Sequence, residues 1–118
     1  MSAQHAEQDG PLIPQPVMTR EALREAIRRV ALPRLAELDR ECAEAFDCAV
    51  QAQSTNPLRF FLAKWATVVA IERWPTRAAA FHEAERLSGD PKASEQQFRD
   101  AMETTGRILG EAQQEIGL

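Results

Sequence analysis

The stretch Pro57-Leu58-Arg59-Phe60-Phe61-Leu62-Ala63-Lys64-Trp65-Ala66-Thr67-Val68-Val69-Ala70-Ile71-Glu72-Arg73-Trp74 decides the fold. Wound at roughly 100° per residue, Leu58, Phe61, Leu62, Trp65, Val68 and Val69 share one stripe. Phe60, Thr67, Ile71 and Trp74 form a second stripe nearly opposite. A helix that is apolar on two sides needs cover from two directions. The segment therefore reads as a central helix, and the remainder of the chain as material that covers it. Trp74-Pro75 ends it, because the residue before a proline avoids the α region.

The flanking segments supply that cover. Upstream, Ser54-Thr55-Asn56-Pro57 is a turn in which Asn56 or Thr55 can cap and Pro57 takes the first helical position. Before it, Pro33 starts a helix that runs to about Gln53, with Leu35, Leu38, Cys42, Ala45, Phe46 and Ala49 as its core stripe. Asp39 projects onto the same side, so its carboxylate must find a partner inside the protein or serve in binding. Thr19 caps a first helix to about Ala31, with Leu23, Ala26, Ile27 and Val30 inward. Arg20, Arg24 and Arg28 line up outside at i, i+4 spacing beside Glu21 and Glu25. That row reads as a solvated, internally paired face; contact with an anion or an acidic partner is the alternative.

Downstream, a helix from about Thr76 to Ser88 turns Ala80, Phe81, Ala84 and Leu87 inward and ends at Gly89. Ser94 with Gln97 makes a capping box for a last helix to about Ile116. Its stripe is Phe98, Ala101, Met102, Thr105, Ile108, Leu109, Ala112 and Ile116, with Gly106 and Gly110 on the flank. Glu72 lies on the main stripe of the central helix at its C-terminal end, where the helix dipole disfavours negative charge. Asp39 and Glu72 are both expected to be held by arginine, with Arg59, Arg73 and Arg77 the candidates.

No segment shows sustained β-branched alternation, and no repeat recurs at a fixed period. The fold class is all-α: a compact bundle of four to five helices with an extended Pro-rich N-terminal tail. Residues 1–18 are the tail and residues 19–118 the helical domain. In Asp9-Gly10-Pro11-Leu12-Ile13-Pro14-Gln15-Pro16 three prolines fix φ and remove donors, which favours polyproline II. Leu12 and Ile13 are presented on that stiff segment. The tail is a disordered leader, a strap on its own domain, or a segment that lies in a partner's groove.

The chain has 118 residues, 44% of them apolar and 27% charged, with a formal net charge of −4. That is enough for one core. The acidic balance argues against sequence-independent nucleic-acid binding, which needs a basic footprint. No uncharged apolar run approaches the roughly 18 residues of a membrane span, and no secretory signal is visible. A cytoplasmic protein is expected. Cys42 and Cys48, on one helix, stand about 9 Å apart along its axis, beyond the roughly 7 Å a disulfide tolerates.

Few residues suggest chemistry. His82-Glu83 resembles the start of the zinc-protease pattern, but Arg86 stands where its second histidine belongs. His5, His82 and the two cysteines do not make a zinc site. No glycine-rich phosphate loop or serine elbow occurs. The expectation is no enzyme, no cofactor and no metal. The short turn between the second and third helices raises helix-turn-helix DNA binding, yet a recognition helix needs one polar face, and Arg59 and Lys64 make a poor one.

Gly10-Pro11-Leu12-Ile13-Pro14, Glu37-Leu38-Asp39-Arg40-Glu41, Pro57-Leu58-Arg59, Phe61-Leu62, Lys64-Trp65-Ala66, Val69-Ala70-Ile71-Glu72-Arg73 and Gly106-Arg107-Ile108-Leu109 together resemble a family of small all-helical actinobacterial proteins of unassigned function. The resemblance covers Gly10 to Ile116, and the central tryptophan-to-proline segment is its most specific part. It implies an antitoxin-like, protein-binding regulator that neutralises a small basic partner such as a messenger-RNA-cleaving toxin. The alternative is a self-associating helical regulator or DNA-binding adaptor, a homodimer without enzymatic activity. Leu12, Ile13, Arg20, Arg24, Arg28, Asp39 and Glu72 are the candidate partner-binding residues.

Overall fold

Thr19 sits in extended backbone and its hydroxyl accepts the N–H of Ala22 at 3.2 Å. This satisfies one of the orphan donors of the first helix, α1 (Arg20–Val30). The computed structural model describes residues 10–118, and among them every regular element is helical. After α1, Ala31 breaks the geometry with φ −151° and ψ 49°. A 3-10 turn, Leu32–Arg34, precedes α2 (Leu35–Ala52). Pro33 thus lies in the 3-10 turn and does not start the α-helix itself, which begins at Leu35. Gln53 closes α2 in the left-handed region, with φ 51°. Then follow α3 (Asn56–Glu72), α4 (Pro75–Ser88) and α5 (Glu95–Glu115). Ser94 and Gln97 form the reciprocal capping box at the start of α5. At α3 the Ser54 hydroxyl accepts the Asn56 N–H, a role expected of Thr55 or Asn56. The all-α expectation of four to five helices is met with five α-helices among the described residues.

The chain divides into two compact units: Ile13–Val69, and residues 10–12 with Ala70–Leu118. The division falls inside α3, after Val69. In the first unit Leu23, Ile27, Leu38, Phe61, Trp65 and Val69 are buried, and Trp65 is 0% exposed. In the second, Ala70, Ile71, Ile108 and Ala112 form the core, with Phe81 and Ile116 packed against it.

Several residues depart from their expected stripes. Phe60 is 75% exposed, so the N-terminal half of α3 is covered on one side only. From Trp65 to Ile71, by contrast, nearly every residue is buried, including Thr67, whose hydroxyl donates to the Ala63 carbonyl at 2.8 Å. On α2, Leu38 is buried and Cys42 half-buried, but Phe46 is 60% exposed. On α4 the exposed Ala80 changes places with the buried Ala78. On α5 the buried face is Ala101, Ile108 and Ala112, while Phe98, Met102 and Leu109 face outward. Periodicity finds an apolar arc; only the neighbouring elements decide which part of the arc they cover.

Residues 1–9 of the tail lie outside the described residues. Of the rest, Ile13 is buried in the first unit, and the Gln15 side chain donates to the Ala66 carbonyl at 3.2 Å. The Leu12 N–H donates to the Arg73 carbonyl at 2.7 Å in the second unit, while its side chain is exposed. Ile13→Ala is expected to cost about 2 kcal/mol in denaturant titration, the low end for an aliphatic truncation. A loss below about 0.5 kcal/mol would mean that Ile13 is not anchored in its unit.

Candidate functional site

Helix α2 carries Glu37, Asp39, Glu41, Glu44 and Asp47 against Arg40 alone, a formal charge of −4 in 18 residues. Its buried side turns on Leu38, so two later positions of the same arc, Phe46 and Val50, emerge at the surface. Phe46 borders a groove of about 770 Å³. The α2 wall is Asp39, Cys42, Ala43, Phe46 and Asp47; the α3 wall is Leu58, Phe61 and Leu62; Arg20 of α1 closes one end. A shallower hollow of about 350 Å³ shares Phe46 and Leu58 and extends past Ala49 and Val50 to the turn before α3. Phe46 and Leu58 line both hollows, which together form a trough along α2.

The carboxylates of α2 differ in what they are free to do. Asp39 receives Nε and Nη2 of Arg24 at 2.8 and 2.9 Å, a bidentate clamp between α1 and α2. Arginine therefore holds Asp39 as expected, but from α1 and not from Arg59, Arg73 or Arg77. Glu37 receives Arg34 at 2.8 Å, and Glu44 receives Arg40 at 3.0 Å. Glu41 accepts the Trp65 indole N–H at 3.1 Å and Lys64 Nζ at 2.7 Å. The Arg34 guanidinium carbon lies 4.9 Å from the centre of the Trp65 ring, and the favourable cation–π geometry adds to that anchor. Asp47 alone of the five has no hydrogen-bond or ion-pair partner among the described residues, and it lines the groove.

Hydrogen bonding from Arg24, with its charge adding to it, holds the Asp39 carboxyl below the usual aspartate range. A folded-state value below the unfolded one gives stability that is present above the unfolded value and lost as pH falls through the folded one. The clamp is therefore complete at neutral pH and fails only in acid. Asp39→Asn is expected to lower stability by a constant amount from about pH 8 to about pH 5. The gap should close as pH falls through the aspartate range. Unfolding midpoints of both proteins across that range measure it; a gap that widened in acid would contradict the clamp.

The other candidate residues separate. Arg20 pairs with Glu21 at 3.3 Å and Arg28 with Glu25 at 2.5 Å, so the arginine row faces solvent and is paired along or across helices. Ile13 is buried and Leu12 exposed. Glu72 belongs to the second unit, where His82 Nε2 lies 2.6 Å from its Oε1. The expected arginine does not hold it, because both nearby arginines are drawn to α5. Arg77 pairs with Glu115 and donates to the Ala70 carbonyl at 2.9 Å, and Arg73 reaches Glu115 at 3.4 Å. Hydrogen bonding from Arg77, then its charge and that of Arg73, hold the Glu115 carboxyl below the usual glutamate range.

The structure thus brings Arg20, Arg24 and Asp39 together at one end of the trough and leaves Leu12, Ile13, Arg28 and Glu72 outside it. Asp47 and Phe46, which dominate the trough, were not among the sequence-based candidates. Their signal was the density of acid on α2 beside a phenylalanine eight residues beyond Leu38. Among the described residues no group of three or more His, Cys, Asp or Glu is placed to hold a metal ion, and no helix is long and apolar enough to cross a membrane. No family model, curated protein or solved structure matches the chain.

Proposed function

We propose that this protein is an antitoxin-like, protein-binding regulator of the cytoplasm that neutralises a small basic partner, such as a messenger-RNA-cleaving toxin, without catalysing a reaction. The observation that carries the reading is the apolar trough set beside the most acidic helix of the chain. Exposed apolar surface with a polar rim marks a protein-binding face. Carboxylates there raise the encounter rate with a basic protein and penalise acidic competitors. The resemblance noted above points the same way.

The test is reconstitution with the product of the neighbouring open reading frame, taken as the partner. In a cell-free translation system that product should cleave messenger RNA and stop synthesis, and an equimolar amount of this protein should restore it. Failure of this protein to form a complex with it or to restore synthesis, or a neighbour that is neither basic nor inhibitory, would overturn the reading.

A further inference from the structure

We propose that the occupant of the α2–α3 trough is a basic amphipathic helix of about three turns, supplied by a partner protein and not by a second copy of this chain. The inference rests on the protein-binding reading and names what the trough recognises. From Asp39 to Val50 the trough follows twelve residues of α2, eleven steps that span about 16 Å at the rise of an α-helix. That length matches three turns of a partner helix, enough to place apolar side chains at i, i+4 and i+7 or i+8 against Leu62, Phe61, Leu58 and Phe46. An extended peptide that adds to a sheet needs a free strand edge, and the described residues contain no strand.

The charges select the sign of the occupant. Asp39 is neutralised by Arg24, and Arg20 by Glu21. Asp47 remains without a partner among the described residues at the trough wall, next to the exposed Phe46. A lysine or arginine that flanks the apolar stripe of an incoming helix would pair with it, and α2 as a whole carries a formal charge of −4. A second copy offers nothing equivalent. Its α2, with Phe46 and Val50 exposed, is itself the most acidic helix, and α5, with Phe98, Met102 and Leu109 outward, carries Glu95, Asp100, Glu103, Glu111 and Glu115 against Arg99 and Arg107. Seating either helix here would oppose like charges. The helices with a positive balance, α1 and α3, turn their main apolar faces inward.

The test uses the full chain and two synthetic peptides of eighteen residues, an amphipathic Leu/Lys helix and its Leu/Glu counterpart. Amide shifts in nitrogen-15-labelled protein locate the contact, and titration gives the affinity. Phe46→Ser and Asp47→Lys change exposed positions, and circular dichroism confirms that both variants fold. The expected result is that the Leu/Lys peptide perturbs amides around Phe46, Asp47 and Leu58. Each substitution should weaken it at least about tenfold, as should exchange for the Leu/Glu peptide.

Unchanged affinity in Phe46→Ser would reduce the contact to loose surface charge and overturn the inference. Shifts centred on Phe98, Met102 and Leu109 would do the same, as would a dimer of the free protein that Phe46→Ser dissolves. The two readings also fail separately. If the Phe46→Ser protein restores translation as the native one does, regulation stands and the trough is not its site. If native protein binds the Leu/Lys peptide in the trough yet cannot restore translation, the trough is right and the regulatory role is wrong.

Discussion

Trp65→Ala is expected to lower the unfolding free energy by about 3–5 kcal/mol, the range for deleting a buried aromatic. Trp65 is 0% exposed and the largest of the fully buried side chains. Its removal leaves a cavity bordered by helix backbones that cannot collapse into it. It also takes the indole N–H from Glu41 and the ring face from Arg34. Glu41 keeps Lys64 at 2.7 Å, so no carboxylate is stranded, and the cavity accounts for most of the loss. Against a typical total of about 5–15 kcal/mol, such a loss threatens folding at ordinary temperature. Trp65→Phe should recover part of it, because most of the ring returns while a smaller cavity remains and one hydrogen bond is missing. Denaturant titration reads both. A loss under about 1 kcal/mol for Trp65→Ala would mean that the residue is not at the centre of the first unit.

Ile108→Ala should be the corresponding lesion in the second unit, with a loss of about 2–5 kcal/mol. Ile108 is 2% exposed and shares its cluster with Ala70, Ile71 and Ala112. Two of those three neighbours are alanine and have no side-chain length with which to fill the space. Phe81 and Ile116 line the cluster from its edge. Ile108→Val, which removes one methyl, should cost about 0.5–1.5 kcal/mol. The adjacent Leu109→Ala should cost less than Ile108→Ala, since Leu109 is on the exposed side of α5. If Leu109→Ala proved the more damaging, the orientation of α5 would be contradicted.

Residue chemistry made the elements legible and left their coverage undetermined. Thr19 and Ser94 were readable as caps because a hydroxyl three residues before a free N–H has one obvious task. Pro75 and the apolar density of α3 fixed the end and the importance of that helix. What periodicity could not resolve was depth. Phe46, Phe60, Phe98 and Met102 belong to apolar arcs, yet their neighbours cover only part of each arc. Pairing was equally out of reach. Asp39 could be seen to need an arginine, but Arg24, fifteen residues away, is its partner only because α1 and α2 lie side by side. Glu72 takes His82 because Glu115, on a distant stretch of chain, occupies Arg73 and Arg77.

The same gap hid the candidate site. In sequence, Phe46 reads as core and Asp47 as one more solvated acid. In the structure they stand together on the wall of a trough, one without cover and the other without a counter-ion among the described residues. Such pairs arise where a core stripe outruns its cover, and only three-dimensional placement reveals them.

Hydrogen–deuterium exchange of this protein with and without the basic product of the neighbouring open reading frame tests the central claim most directly. Binding in the trough should slow exchange at residues 39–50 of α2 and 58–62 of α3, and leave α5 unchanged. Protection confined to residues 98–109, or a stable complex with no protection along α2, would contradict it.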